Sequence, residues 1–211
     1  MKTDDLIRAL SADTLPARPL SVILIAGLIP AYAVCIGAVW AILGFRPDFA
    51  HSLLAPLSVA RFILTGALGF AGLRLALALS RPVDRPRFGL WPLALVGVAA
   101  LGLLIWAYVS TPAEARQMAL VGKTISTCLI SIPLLSILPV AAVLAMLRHG
   151  ATTAPRLASM VAGLAGGGVA AAIYATHCTE DSPLFYVTWY GVAIVGVTVV
   201  ATLIGPRLLR W

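Results

Sequence analysis

Charged side chains arrive in short bursts along this chain, and the stretches between the bursts are almost wholly apolar. No Asp, Glu, Lys, Arg or His falls between Arg18 and Arg46, between Arg87 and Glu114, between Lys123 and Arg148, between Arg156 and His177, or between Asp181 and Arg207. Each interval matches or exceeds the roughly 20 residues a helix needs to cross the hydrocarbon core. A sixth apolar interval, near 56–79, contains Arg61 and Arg74. The apolar runs are continuous, whereas a membrane β-barrel alternates polarity over segments of about 10 residues. The pattern therefore predicts an all-α polytopic membrane protein with six transmembrane helices in one bundle, near 20–44, 56–79, 89–110, 121–147, 155–176 and 183–205. Residues 1–19 form an N-terminal segment, 20–206 the six-helix domain and 207–211 a short tail. The first run is too long, and its leading region too mixed in charge, for a cleaved signal peptide.

Composition removes the alternatives. Of 211 residues 61% are hydrophobic and 11% charged, and mean hydropathy is +1.00. A soluble domain carries about 25% charged residues, and disorder requires low hydrophobicity with high charge. The net charge of +7 is mainly a topology signal. Lys2, Arg8, Arg18, Arg81, Arg85, Arg87, Arg148, Arg156, Arg207 and Arg210 share one side, against Arg46, Arg116 and Lys123 on the other. The positive-inside rule then places both termini in the cytoplasm. Trp40, Trp106, Tyr108, Tyr174, Phe185, Tyr186, Trp189 and Tyr190 are expected at the outer boundary as an aromatic belt. The basic residues are scattered over short segments, which suits contact with anionic lipid and gives no support to direct nucleic-acid binding.

Little in the chain suggests catalysis. No span carries a central Asp or Glu, the usual mark of an ion or proton path. No Walker, Rossmann, HExxH or CxxC pattern is present. The expectation is a non-enzyme without a resident cofactor. Arg61 and Arg74 each lie about five residues from a helix end, roughly 7–8 Å along the axis, close enough to snorkel. The sharper alternative for Arg61 is a pair with Glu180 or Asp181. Pro30, Pro133 and Pro139 should kink their helices. Gly163 and Gly167 form a GxxxG pair on the fifth span, expected to serve packing within the chain.

Three cysteines remain. Cys35 reads as a small buried hydrophobe. Cys128 follows the polar run Thr124–Thr127 at the outer end of the fourth span, and Cys178 lies in the last outer loop. Both are expected in a compartment that permits disulfides. Three readings stay open: structural thiols or a static disulfide; a redox switch; and a transient metal site using Cys128 and Cys178 with His177, Glu180 or Asp181 as accessory ligands. Glu180 and Asp181 should hinder thiolate formation at Cys178, while Lys123, one turn before Cys128, favours it there.

The N-terminal segment predicts a helix of about nine residues. Thr3 is a suitable N-cap, Asp4 and Asp5 complement the helix dipole, and Leu6, Ile7 and Leu10 share a face. Such a helix is too short to stand alone in water. Its mixed charge is unlike a basic membrane-surface helix, and a protein partner with an apolar groove is the favoured match.

Three features now coincide: the opening Thr3-Asp4-Asp5-Leu6-Ile7-Arg8-Ala9-Leu10, the six spans, and Cys178-Thr179-Glu180-Asp181-Ser182-Pro183 followed by Trp189-Tyr190. Together they resemble the NrsF family of bacterial inner-membrane regulators over essentially the whole chain. The resemblance implies an anti-sigma factor that holds an extracytoplasmic-function sigma factor of the SigF type and releases it on stress. It also implies that Cys128 and Cys178 are the family's paired sensing cysteines, and that Cys35 matches no family position. The grip on the sigma factor would come from the N-terminal segment and the inner loops. The rivals are a small membrane enzyme or permease, which predicts a polar cavity at mid-membrane, and a structural membrane subunit.

Overall fold

The computed structural model describes residues 3–12, 19–81 and 87–209. Among these residues it is helical, without strands. Helix α1 covers Thr3–Ala12 and α2 Leu20–Ala38, continued by a π-helical turn at Val39–Leu43. A single turn α3, Phe49–Ser52, precedes α4, Pro56–Leu79, and α5, Arg87–Ser110. Helix α6, Ala113–Val121, leads into α7, Ile125–Arg148, followed by α8, Pro155–Tyr174, and α9, Pro183–Leu208. Six helical stretches are long and apolar enough to cross a membrane. Proline sets several starts: Pro56, Pro155 and Pro183 occupy first-turn positions, where a missing N–H costs nothing.

Helix α8 is the axle of the bundle, packed against α4, α7 and α9. Its glycines explain how one helix meets three. A methyl group on Gly163 would lie 2.6 Å from the Cα of Thr198 on α9, and one on Gly167 would lie 3.2 Å from Ile194 of the same helix. One on Gly168 would meet the backbone of Gly69 on α4 at 2.6 Å, and one on Gly166 the backbone of Val140 on α7 at 2.8 Å. The GxxxG pair thus serves close packing inside the chain, since lipid tails offer helices no hydrophobic drive and near backbone approach must supply the attraction.

Pro30 and Pro92 sit inside α2 and α5, Pro133 and Pro139 inside α7, and Pro206 inside α9. Pro139 has no N–H to offer the carbonyl of Leu135, four residues back. The thiol of Cys35 donates to that carbonyl at 3.3 Å. Cys35 is 2% exposed and ties α2 to α7, so it does more than fill space.

The aromatic residues divide in two. Trp40, Trp106 and Tyr108 are more than half exposed, as an aromatic belt requires, whereas Tyr174, Phe185, Tyr186 and Tyr190 are buried core residues. Helix α6 braces the same end: its Leu120 carbonyl accepts from the indole of Trp189 at 2.7 Å, and Arg116 stacks over Tyr108 at 4.5 Å.

Candidate functional site

The segment 175–182 joins α8 to α9 and gathers the polar groups at one end of the bundle. It begins where α8 stops at Tyr174, and Pro183 starts α9. Cys178, at its middle, is 1% exposed, and Cys128, on the first turn of α7, is fully buried. Both belong to one core cluster with Tyr174, Phe185, Tyr186 and Tyr190. The Cys178 sulfur lies 3.9 Å from the Oγ1 of Thr124, one turn before Cys128. All three cysteines are free thiols. Tyr174 and Tyr190 are buried in the same cluster, and the two rings meet edge to face at 5.7 Å.

The accessory groups named from the sequence are drawn to other partners. His177 Nδ1 is 2.9 Å from the carbonyl of Gly44; a carbonyl only accepts, so Nδ1 carries the proton. Glu180 Oε1 accepts from the backbone N–H of Lys123 at 2.8 Å. Gly122, at φ +57°, permits this: a side chain there would strike Phe185 and Glu180, at 2.7 and 2.9 Å. Asp181 is taken by two arginines. Among the described residues no three of His, Cys, Asp and Glu converge as a metal-binding set.

The arginines are what the sequence reading undervalued. Arg46 is 4% exposed and Arg61 fully buried. Arg61 therefore does not snorkel; the alternative pairing with Asp181 is the one observed, at 3.4 Å. Arg61 also donates to the carbonyls of Glu180 at 2.9 Å and Ala175 at 3.4 Å, and to Ser58 Oγ at 3.4 Å. Arg46 forks onto Asp181 at 2.6 and 2.7 Å, onto Asp48 at 2.5 and 2.9 Å, and reaches the Cys178 carbonyl at 3.3 Å. Two cations and two anions form a neutral, charge-assisted network. The hydrogen bond from Arg46 holds the Asp48 carboxyl down to about 2. Burial works to raise the Asp181 pKa, but the hydrogen bond from Arg46 and the charge of Arg61 outweigh it, and the net shift is downward. The signal for Arg61 was available, because a charge inside a span demands a partner; Arg46 and Asp48 read only as loop charges.

Asp181 does not stand as an uncompensated anion beside Cys178, because both arginines neutralise it. Lys123 is exposed while Cys128 is sealed, so an open ammonium faces no open thiol. Arg74, in contrast, is exposed. In α1, Asp4, Asp5 and Ile7 are exposed; the side chains of Leu6 and Leu10 lie outside the described residues. Two grooves of about 660 and 290 Å³ run between helices, α7 with α9 and α2 with α7. Their linings are apolar apart from Ser136 and Arg148 in the first and Cys35 and Ser131 in the second. The polar mid-membrane cavity of an enzyme or permease is not among them.

The fold and the buried thiol–arginine end define an all-helical protein with six membrane-spanning-type helices and a polar cluster confined to one end. The chain belongs to the NrsF family, described as negative regulator of sigma F, whose model matches residues 9–211. It is 36% identical over 217 residues to "Anti-sigma-F factor NrsF" of Caulobacter vibrioides (strain NA1000 / CB15N), with 100% of both chains covered. It is 34% identical over 230 residues to "Probable anti-sigma-F factor NrsF" of Azospira oryzae, again with 100% of both covered. No solved structure matches the chain.

Proposed function

We propose that this chain is an anti-sigma factor of the inner membrane. It sequesters an extracytoplasmic-function sigma factor at its cytoplasmic face and releases it when a periplasmic oxidant or heavy metal acts on Cys128 and Cys178. Both termini are cytoplasmic in this reading. The full-length match to anti-sigma-F factors supports a sigma factor as partner. The observation that carries the sensory part is the placement of two free thiols in one core cluster, at the end opposite the basic helix termini. Helix α1, with exposed Asp4, Asp5 and Ile7, supplies the partner-binding face together with Leu6 and Leu10. A two-electron oxidant would join the sulfurs, taking two electrons while two protons leave the thiols. A soft metal ion would instead bridge the two deprotonated sulfurs.

Recovery of the partner with the detergent-solubilised, full-length protein tests this reading. A sigma factor of the extracytoplasmic-function class should accompany the wild type. The triple variant Leu6→Asp, Ile7→Asp, Leu10→Asp should lose it, since each apolar contact contributes about 1.5–3 kcal/mol by area. Oxidant or metal should release it from the wild type but not from Cys128→Ser or Cys178→Ser. Absence of any sigma factor overturns the partner assignment, and normal release from the cysteine variants overturns the sensor.

A further inference from the structure

Both sulfurs of the sensor are sealed, Cys128 completely and Cys178 to 1%. An oxidant or metal can reach them only if the segment 175–182 moves. No regular helix or strand fixes residues 178–182. Besides the Cys178 N–H bond to the Tyr174 carbonyl and the Lys123 N–H bond to Glu180, two guanidinium groups hold their main chain. Arg46 holds the carbonyl of Cys178 at 3.3 Å, and Arg61 holds those of Glu180 and Ala175 at 2.9 and 3.4 Å. One carboxylate, Asp181, meets both arginines.

We propose that Asp181 is the positioning residue of the sensor. Its carboxylate holds Arg46 and Arg61 in the orientations that bind the main chain on both sides of Cys178, and so latches the segment over the two thiols. The inference rests on the sensory reading of those thiols. Arginine does not shed its proton inside a protein, so a wholly buried Arg61 needs a counter-charge. Asp181 is the carboxylate that pairs with it. Arg46 still has Asp48 if Asp181 is lost; Arg61 is left with the neutral Ser58 and two carbonyls, and its Nε has no acceptor among the described residues. An unpaired buried charge draws in water or moves toward it. Either movement takes the Glu180 and Ala175 carbonyls from their donor and uncovers Cys178. Asp48, half exposed and paired with Arg46, plays no such part.

The test is the alkylation rate of Cys178 by N-ethylmaleimide in native membranes, in full-length protein carrying Cys35→Ser and Cys128→Ser. Asp181→Asn should raise the rate by about tenfold or more, Asp48→Asn should leave it within about twofold, and Asp181→Glu should fall between, as expected for a local opening. A companion protein with Cys35 as its sole thiol should stay unreactive in every background. Equal rates for Asp181→Asn and its parent overturn the latch, as does equal exposure of Cys35, which reports general loosening. If Asp181→Asn fails to insert, Arg46→Gln, which leaves Asp181 with Arg61, should still speed alkylation, and an unchanged rate again overturns it. Partner retention is measured separately. Fast alkylation with undiminished stress-linked retention and release in Cys178→Ser keeps the latch and overturns the sensory reading.

Discussion

At the Leu79 end of the bundle the core cluster is mostly aliphatic: Leu75, Val143, Leu147 and Val161 pack with Leu24 and Leu28 of α2. At the other end the same long helices bury Arg61, Cys128 and Tyr174, with Tyr190 and Cys178 completing the set. The first region is held by volume. Any side chain of similar shape restores most of its dispersion contacts. The second is held by direction, because each guanidinium N–H needs an acceptor at a particular place and each buried charge needs its opposite. The same bundle therefore has one end that tolerates substitution and one end where a single atom matters.

Substitutions at the two ends should differ in size. Asp181→Ala strands Arg61 and should cost about 3 kcal/mol, the lower end for breaking a buried pair because Asp181 is about one-third exposed. Denaturation in micelles reads this, and a loss equal to that of an ordinary surface change would remove the contrast. Acid should produce a related loss by titration. Asp48 is lowered to about 2 by its hydrogen bond from Arg46, and Asp181 is lowered too. A depressed carboxylate contributes stability that is complete above its unfolded pKa of about 3.9 and is lost as pH falls through the folded value. Stability from this network should be flat from pH 8 to about 5 and fall below about 4, an acid limb that Asp181→Asn shortens. Leu75→Met, in the fully buried aliphatic end, should cost less than about 1.5 kcal/mol as a volume-conserving change. Cys35→Ala leaves the Leu135 carbonyl without the thiol donor and should cost about 0.5–1.5 kcal/mol; the smallest effect belongs to Cys35→Ser, which keeps a donor and should recover most of that loss.

The helix count was legible because charges are excluded from spans, so gaps between them mark helices directly. The role of Gly163 and Gly167 was legible from spacing, although Gly166 and Gly168, which meet α7 and α4, needed the bundle's angular arrangement. Tyr174, Phe185, Tyr186 and Tyr190 prove to be buried, because an aromatic near a helix end fits a belt and a core equally well in one dimension. Arg61 shows the same limit. Its position allowed both snorkelling and pairing, and only the approach of a segment more than a hundred residues away decides between them. Arg46 carried still less signal, since two positions from Asp48 it resembles any loop pair. The N-terminal motif was the clearest sequence feature of all, yet the side chains of Leu6 and Leu10 lie outside the described residues.

The distance along the chain between Arg61 and its acceptors has a consequence for how the protein is made. Glu180 follows Arg61 by 119 residues, and synthesis at about 5–20 residues per second separates them by roughly 6–24 s. Throughout that interval α4 carries an arginine whose counter-charge does not yet exist. The helix must wait near the membrane surface or against the insertion machinery, with its cation in water, until the α8–α9 hairpin brings Asp181. The last third of the chain thus completes the burial of the first, and a message truncated before residue 181 leaves a bundle with an unpaired arginine exposed to degradation.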